Sequence, residues 1–376
     1  MRTLLILLAA TTALAQTTPQ TRLSRITENL RGVSAVTQKI AWASGTHGNY
    51  LRTTDGHIWI PDHVPGAEAL DFRGIVAFSS EEAFLMSSGP ADQSRIYHTT
   101  DAGRHWQLQF TNTNAKGFFD SMVFWDRTHG IVLGDPIPDE TGAPKFELLM
   151  TDDGQTWTPI PPAQLPPALE GEAAFAASNT CLAILAEGEG HDFSRTVSVP
   201  KKNGVSAAEG PDPNIWFVTG GKAARVFHSA DRGLTWEVLD TPITHGPDSA
   251  GIFSIAFRDA THGVIAGGDY KLPEQDGPNL AFTTDGGKTW TLSKIFPQSY
   301  YSAVAYDRNT KRNNKDEALD RIFLVGPKFI YDFRPPQNPT RISANKKSDS
   351  QFNAVSPYPQ GGALVVGPKG VIINVP

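Results

Sequence analysis

Thr283-Thr284-Asp285-Gly286-Gly287-Lys288-Thr289-Trp290 is the stretch that decides the fold, because the chain writes it repeatedly. Ser229-Ala230-Asp231-Arg232-Gly233-Leu234-Thr235-Trp236 follows the same pattern, and Thr99-Thr100-Asp101-Ala102-Gly103-Arg104-His105-Trp106 departs from it only at His105. A fourth copy, Met150-Thr151-Asp152-Asp153-Gly154-Gln155-Thr156-Trp157, has Met where the first Ser or Thr stands; a fifth, Thr53-Thr54-Asp55-Gly56-His57-Ile58-Trp59, is one residue short. The pattern S/T-x-D-x-G-x-T-W describes a hairpin turn. Its Asp can accept from backbone N–H groups two residues on, its Gly permits positive φ, and Thr-Trp resumes a strand whose indole covers the turn. Asp55, Asp101, Asp152, Asp231 and Asp285 are therefore expected to be structural, with Trp59, Trp106, Trp157, Trp236 and Trp290 on the outer part of successive units.

A second element recurs upstream of the turn. Phe253-Ser254-Ile255-Ala256-Phe257 followed by Thr261-His262-Gly263-Val264-Ile265-Ala266-Gly267 matches Asp120-Ser121-Met122-Val123-Phe124 followed by Thr128-His129-Gly130-Ile131-Val132-Leu133-Gly134. Weaker copies begin at Val33, Arg73, Ala173, Tyr301 and Phe352, which makes seven units of about 52 residues, enough for a four-stranded blade each.

The boxes resemble the Asp-box, or bacterial neuraminidase repeat, of β-propellers. The expected fold is all-β: a seven-bladed β-propeller of four-stranded antiparallel blades with Asp-box hairpins. In that family the boxes sit on peripheral hairpins away from the substrate face. Because the last unit ends just before Pro376, its outermost strand should come from residues 22–30 near the N-terminus. Two insertions interrupt the pattern, at about 186–213 and 307–320; the first stretches the Trp157 to Trp236 spacing to 79 residues. Both read as exposed loops.

Met1-Arg2, the apolar run Leu4–Ala10 and Ala13-Leu14-Ala15 predict a signal peptide over residues 1–15, leaving 16–376 as one exported domain, periplasmic or extracellular. Stable membrane insertion is not expected, and a monomer is. Hydrophobic residues make up 39% of the chain and charged ones 19%, so a large core can form and disorder is excluded as the overall state. A net charge of −6 argues against nucleic acid as a partner. Cys181, the single cysteine, excludes an internal disulfide and multi-cysteine metal sites, and its apolar surroundings predict an inert buried thiol. No metal or cofactor is expected.

Propellers hold ligands where the innermost strands converge on the central channel. Residues at or just before those strand starts are Arg31, Arg73, Asp120, Glu172, Tyr300 and Tyr301; Asp135, Asp269 and Tyr270 follow the Gly-ended strands. Arg73, Asp120, Glu172, Asp269, Tyr270 and Tyr301 are the expected ligand-binding set. Asp120, Asp135 and Glu172 are the carboxylates that could serve a glycosidase. Sialidases, which carry such boxes, use an F-R-I-P segment, three arginines and a Tyr–Glu pair. Phe72-Arg73-Gly74-Ile75 shares only its first two residues with that segment, and neither an arginine trio nor a Tyr–Glu pair can be assigned. No G-x-S-x-G, H-E-x-x-H or G-x-x-x-x-G-K-[ST] occurs.

The units Ile40-Ala41-Trp42-Ala43-Ser44-Gly45 through Gly56, and Ile265-Ala266-Gly267-Gly268 through Trp290, resemble the photosystem II stability/assembly factor group over about residues 30–376. That resemblance implies an exported, non-enzymatic scaffold binding a protein client, although the group's arginine-rich patch has no clear counterpart here. The expected function is a binding scaffold for a protein or envelope glycan, with an Asp-box glycoside hydrolase or lyase as the alternative.

Overall fold

Glycine-bounded runs of alternating and continuous apolar residues give strands, and the computed structural model arranges them in seven antiparallel sheets around one channel. It describes residues 20–24, 26–185, 212–294, 299–309, 320–334, 340–342 and 352–376. The expected leader 1–15, most of the first insertion (186–211) and most of the second (310–319) lie outside the described residues.

Blade 1 comprises Leu30–Ala35, Ala41–Gly45, Asn49–Thr53 and Ile60–His63, numbered from the channel outward. Blade 2 comprises Phe72–Ala77, Ala83–Ser87, Arg95–Thr99 and Gln107–Thr111; blade 3, Phe119–Phe124, Gly130–Pro138, Pro144–Thr151 and Thr158–Pro159. Blade 4 uses Leu182–Ile184, Ile215–Val218, Arg225–Ser229 and Glu237–Asp240; blade 5, Ala250–Phe257, Gly263–Asp269, Leu280–Thr283 and Thr291–Leu292. Blade 6 uses Ala303–Tyr306, Ile322–Val325, Ile330–Phe333 and Thr340–Ile342. Blade 7 uses Ala354–Pro357, Ala363–Gly367 and Val371–Val375, closed by Gln20–Leu23. The closing strand thus starts two residues earlier than the sequence suggests, and Leu30 already belongs to blade 1. Among the described residues the only helical pieces are two single 3-10 turns, Ala91–Gln93 and Pro162–Gln164.

One sheet exceeds four strands. Glu172–Ala173 and Gly220–Gly221 extend blade 5, the latter pairing Gly220 with Gly251. A Cβ on Gly251 would lie 2.2 Å from the Gly220 Cα, so this crossing requires glycine.

Second strands such as Ala41–Gly45 and Ile322–Val325 are buried throughout because they pack against blades on both sides, whereas the outer strand Ile60–His63 is exposed. Side chains on the inner strands then stitch blade to blade. Ala77 N–H donates to Ser34 Oγ and Ala35 N–H to Ser356 Oγ, both at 3.0 Å, and Val304 N–H donates to Ser254 Oγ at 2.9 Å. Asn179 bridges to both backbone groups of Met122. Next to the last pair of its inner strand, each blade sets one small residue on the channel wall: Ser34, Val76, Val123, Ala183, Ala256, Ala305 and Ser356.

The boxes are the outer staples. Each box tryptophan immediately precedes an outermost strand. Asp231 accepts from Thr235 N–H at 2.8 Å, and Asp285 from Thr289 N–H at 2.9 Å. Neighbouring blades grip the same turns: Tyr50 Oη donates to Gly103 C=O at 3.0 Å, and Trp216 Nε1 to Gly286 C=O at 3.0 Å. In the fourth box the capping carboxylate is Asp153, not Asp152. Asp153 accepts from Gln155 and Thr156 N–H at 2.8 and 2.7 Å, while Asp152 is 78% exposed and has only Arg232 nearby, at 3.9 Å. The true alignment is Thr151-Asp152-Asp153-Gly154-Gln155-Thr156-Trp157, a seven-residue box like that of Thr53–Trp59.

Candidate functional site

Four inner strands begin with a shift in pairing register, and the residue left over is Arg31, Arg73, Asp120 or Phe253. A β-bulge turns its extra side chain out of the pleat. These four therefore gather at the strand-start end of the channel.

The ionic half is built on Asp71. Its carboxylate accepts from Arg73 Nε at 2.8 Å and lies 3.8 Å from Arg31 Nε. Arg73 also donates to the Ala176 carbonyl at 3.2 Å and sits 5.9 Å from the Phe118 ring centroid. Burial, then the neighbouring Arg73 charge, lowers the Arg31 pKa. Asp120 follows, only 1% exposed, with no hydrogen-bond partner for Oδ2. Burial and then the Asp135 charge raise its pKa well above the carboxylate range, against the pull of Arg73. Asp135 sits at a second register shift, between Gly134 and Pro136, and accepts from Ala174 N–H at 3.0 Å. Burial pushes Asp135 up to about 6. Glu147, raised by burial, accepts from Asn112 Nδ2 at 2.7 Å and adds its charge to the Asp120 environment.

The aromatic half centres on Phe253. Phe175 stacks on it at 3.9 Å, while Tyr300 and Tyr270 meet it edge-on at 4.8 and 6.1 Å. Tyr270 is 48% exposed. Burial raises the Tyr300 pKa and the Arg31 charge opposes it, so the two halves meet at Arg31 and Tyr300.

Several expected residues stand elsewhere. Glu172 is committed to structure: it pairs with Arg225, whose Nε donates at 2.9 Å, and accepts from Thr219 Oγ1 at 2.6 Å and Leu169 N–H at 2.8 Å. Tyr301 is fully buried, edge-on to Tyr331 at 6.4 Å, on the wall of a separate cavity of about 400 Å³. Asp269 caps its own turn through Lys271 N–H at 2.9 Å. Cys181 is buried, with its thiol pushed up by burial. Among the described residues no three His, Cys, Asp or Glu side chains are grouped to hold a metal. Asp71, Glu147, Phe175 and Phe253 belong to the rim but were not singled out from the sequence; only the spacing of Asp71 two residues before Arg73 marks one of them.

What this arrangement can do follows from its contents. A largely buried acid, two arginines that share one carboxylate and so keep a net positive charge, and an exposed tyrosine suit hydrogen bonding and stacking with a polar ligand.

The comparisons agree with the geometry. The BNR/Asp-box repeat model matches residues 281–292. Among curated proteins none matches the chain in sequence. Solved structures do match in fold. YCF48 bound to a D1 peptide is 15% identical with a TM-score of 0.58, over 96% of this chain and 98% of that one. YCF48 from Cyanidioschyzon merolae is also 15% identical at 0.58, over 95% and 98%. A GH74 xyloglucanase from Xanthomonas campestris is 14% identical at 0.56, over 94% of this chain and 53% of that one. The chain is a seven-bladed β-propeller that carries a BNR/Asp-box repeat and is similar in fold to YCF48.

Proposed function

We propose that the protein is an exported, non-catalytic scaffold that holds a protein client or an envelope glycan on the strand-start rim, with Arg31, Arg73, Asp135 and Tyr270 as its contact groups. One observation carries this reading. Of the carboxylates there, Asp71 is neutralised by arginine and the partnerless Asp120 Oδ2 is sealed from solvent, so the site supports holding better than reacting. YCF48 solved with a D1 peptide supports a protein as the kind of partner. The test is capture from the protein's own periplasm or medium on immobilised mature chain, followed by titration of the retained partner. Tyr270→Ala should weaken binding at least tenfold without moving the melting temperature. Equal binding by that variant would place the contact surface elsewhere. N-terminal sequencing of the exported form should begin at Gln16.

A second reading, an Asp-box glycoside hydrolase or lyase, draws support from the raised pKa values of Asp120 and Asp135, since an acid held protonated near neutrality is what glycoside cleavage uses. Reducing-end release from cell-envelope polysaccharide, abolished in Asp135→Asn, would favour it over the scaffold.

A further inference from the structure

At the other end of the inner strands the channel opens into a cavity of about 500 Å³, within the roughly 300–1,000 Å³ of small-ligand sites. Its wall is the ring of small residues already described, widened by Leu185, Phe257 and Tyr306. Polar groups on the wall are spoken for. Ser34 and Ser356 accept from the next blade, Asn179 holds Met122, and Thr180 bonds Ser254 Oγ at 2.7 Å. A sugar or nucleotide would find few hydrogen-bonding groups free.

The exception is Arg308. Its side chain lines the cavity and is exposed there, with no acceptor or ion-pair partner among the described residues. Among the described residues, the acids of this end of the fold are committed. Asp307 takes Arg321 at 3.0 Å, Asn309 N–H at 2.9 Å and Gly362 N–H at 3.3 Å. Asp259 and Asp320 both pair with Arg258, the former at 3.0 Å. A guanidinium stays charged at neutral pH. An unneutralised cation beside low-dielectric walls focuses its field into the cavity.

We propose that this mouth binds a carboxylate-bearing amphiphile, the Arg308 guanidinium taking the carboxylate and the mostly apolar channel wall taking an unbranched aliphatic chain. One planar fork matches one carboxylate. The wall beyond it offers contact to a narrow chain without polar groups. This site lies at the opposite end of the channel from the rim proposed above and stands or falls independently of it.

The experiment is calorimetric titration of dodecanoate into the full mature chain, below the micelle concentration. Saturable binding at one site is expected. Arg308→Gln should weaken it at least tenfold and Arg308→Lys less, while dodecanol should bind as weakly to the unaltered protein as dodecanoate binds to Arg308→Gln. Ala256→Phe, which fills the ring, should abolish binding with Arg308 intact. Melting curves of the Arg308 variants should overlay the parent, because among the described residues Arg308 has no hydrogen bond or ion pair to lose. Dodecanoate binding that is unsaturable, or unchanged in Arg308→Gln, would overturn the proposal.

Discussion

Ala102 and Arg232 hold φ of 67° and 60°, each directly before a positive-φ glycine, where the third eight-residue box has Gly286. A Cβ in this region costs about 1–2 kcal/mol in local sterics, partly offset by the greater unfolded-state freedom of glycine. Ala102→Gly should therefore stabilise the fold by about 0.5 kcal/mol in urea titration; a loss of stability would mean that the Ala102 methyl packs usefully. Carboxylates in the same turns act through backbone N–H groups. Asp153→Asn should destabilise the fold while Asp152→Asn leaves it unchanged, and the reverse order would restore the eight-residue alignment. Asp231→Asn should cost about 1 kcal/mol, the net worth of weakened charge-assisted bonds. The boxes were legible because a turn is a local object, with donor, acceptor and glycine all within eight residues. The fourth was misaligned because two adjacent aspartates fit one pattern, and the bonds from Gln155 and Thr156 N–H tell them apart.

At the level of the strand, the bulges decide what the rim contains, and the acids they gather make stability depend on pH in two opposed ways. Asp101, Asp153 and Asp285 titrate near 2, held down chiefly by hydrogen bonds from His105, Thr156 and Thr289 respectively. Unfolded, they titrate near about 3.9. Their contribution is present above that value and is lost as pH falls toward 2. Asp135 runs the other way. Its folded pKa of about 6 exceeds the unfolded one, so its contribution is full below about 4 and is lost as pH rises through 6, and Asp120 shares that direction. Asp135→Asn should consequently show a melting temperature that gains on the parent between pH 4 and 7; parallel curves would mean that Asp135 is ionised without penalty. Arg73 and Asp120 were recognisable because the strand-start position repeats from blade to blade. Glu172 was not separable from them, since the Arg225 that neutralises it stands 53 residues away in another strand. Phe253 read as an ordinary strand residue because an extra residue in a strand leaves no mark on alternation until the partner strand is known.

For the whole molecule, the number of blades was readable because each repeat is one blade, but closure is a property of the ring. Gln20–Leu23 pairs over four residues with Val371–Asn374, and just beyond it Ser24 Oγ donates to Gly370 C=O at 2.6 Å. That hydroxyl bond is buried and joins residues 346 apart. The chain has no disulfide among its described residues, so the strand pairing is the lock between first and last blades. Removing residues 16–23 would leave blade 7 with three strands and expose the outer edge of Val371–Val375. At about 1 kcal/mol for each ladder bond lost, the truncated chain should be less stable by about 3 kcal/mol, with a melting temperature lower by roughly 3–5 °C. The exposed edge should also make it prone to associate, which light scattering would detect. Ser24→Ala isolates the side-chain bond from the strand itself and should cost about 1 kcal/mol without association, because the edge stays covered. A truncated chain that melts with the parent would show that the inner serine stitching between Ser356 and Ala35 closes the ring unaided.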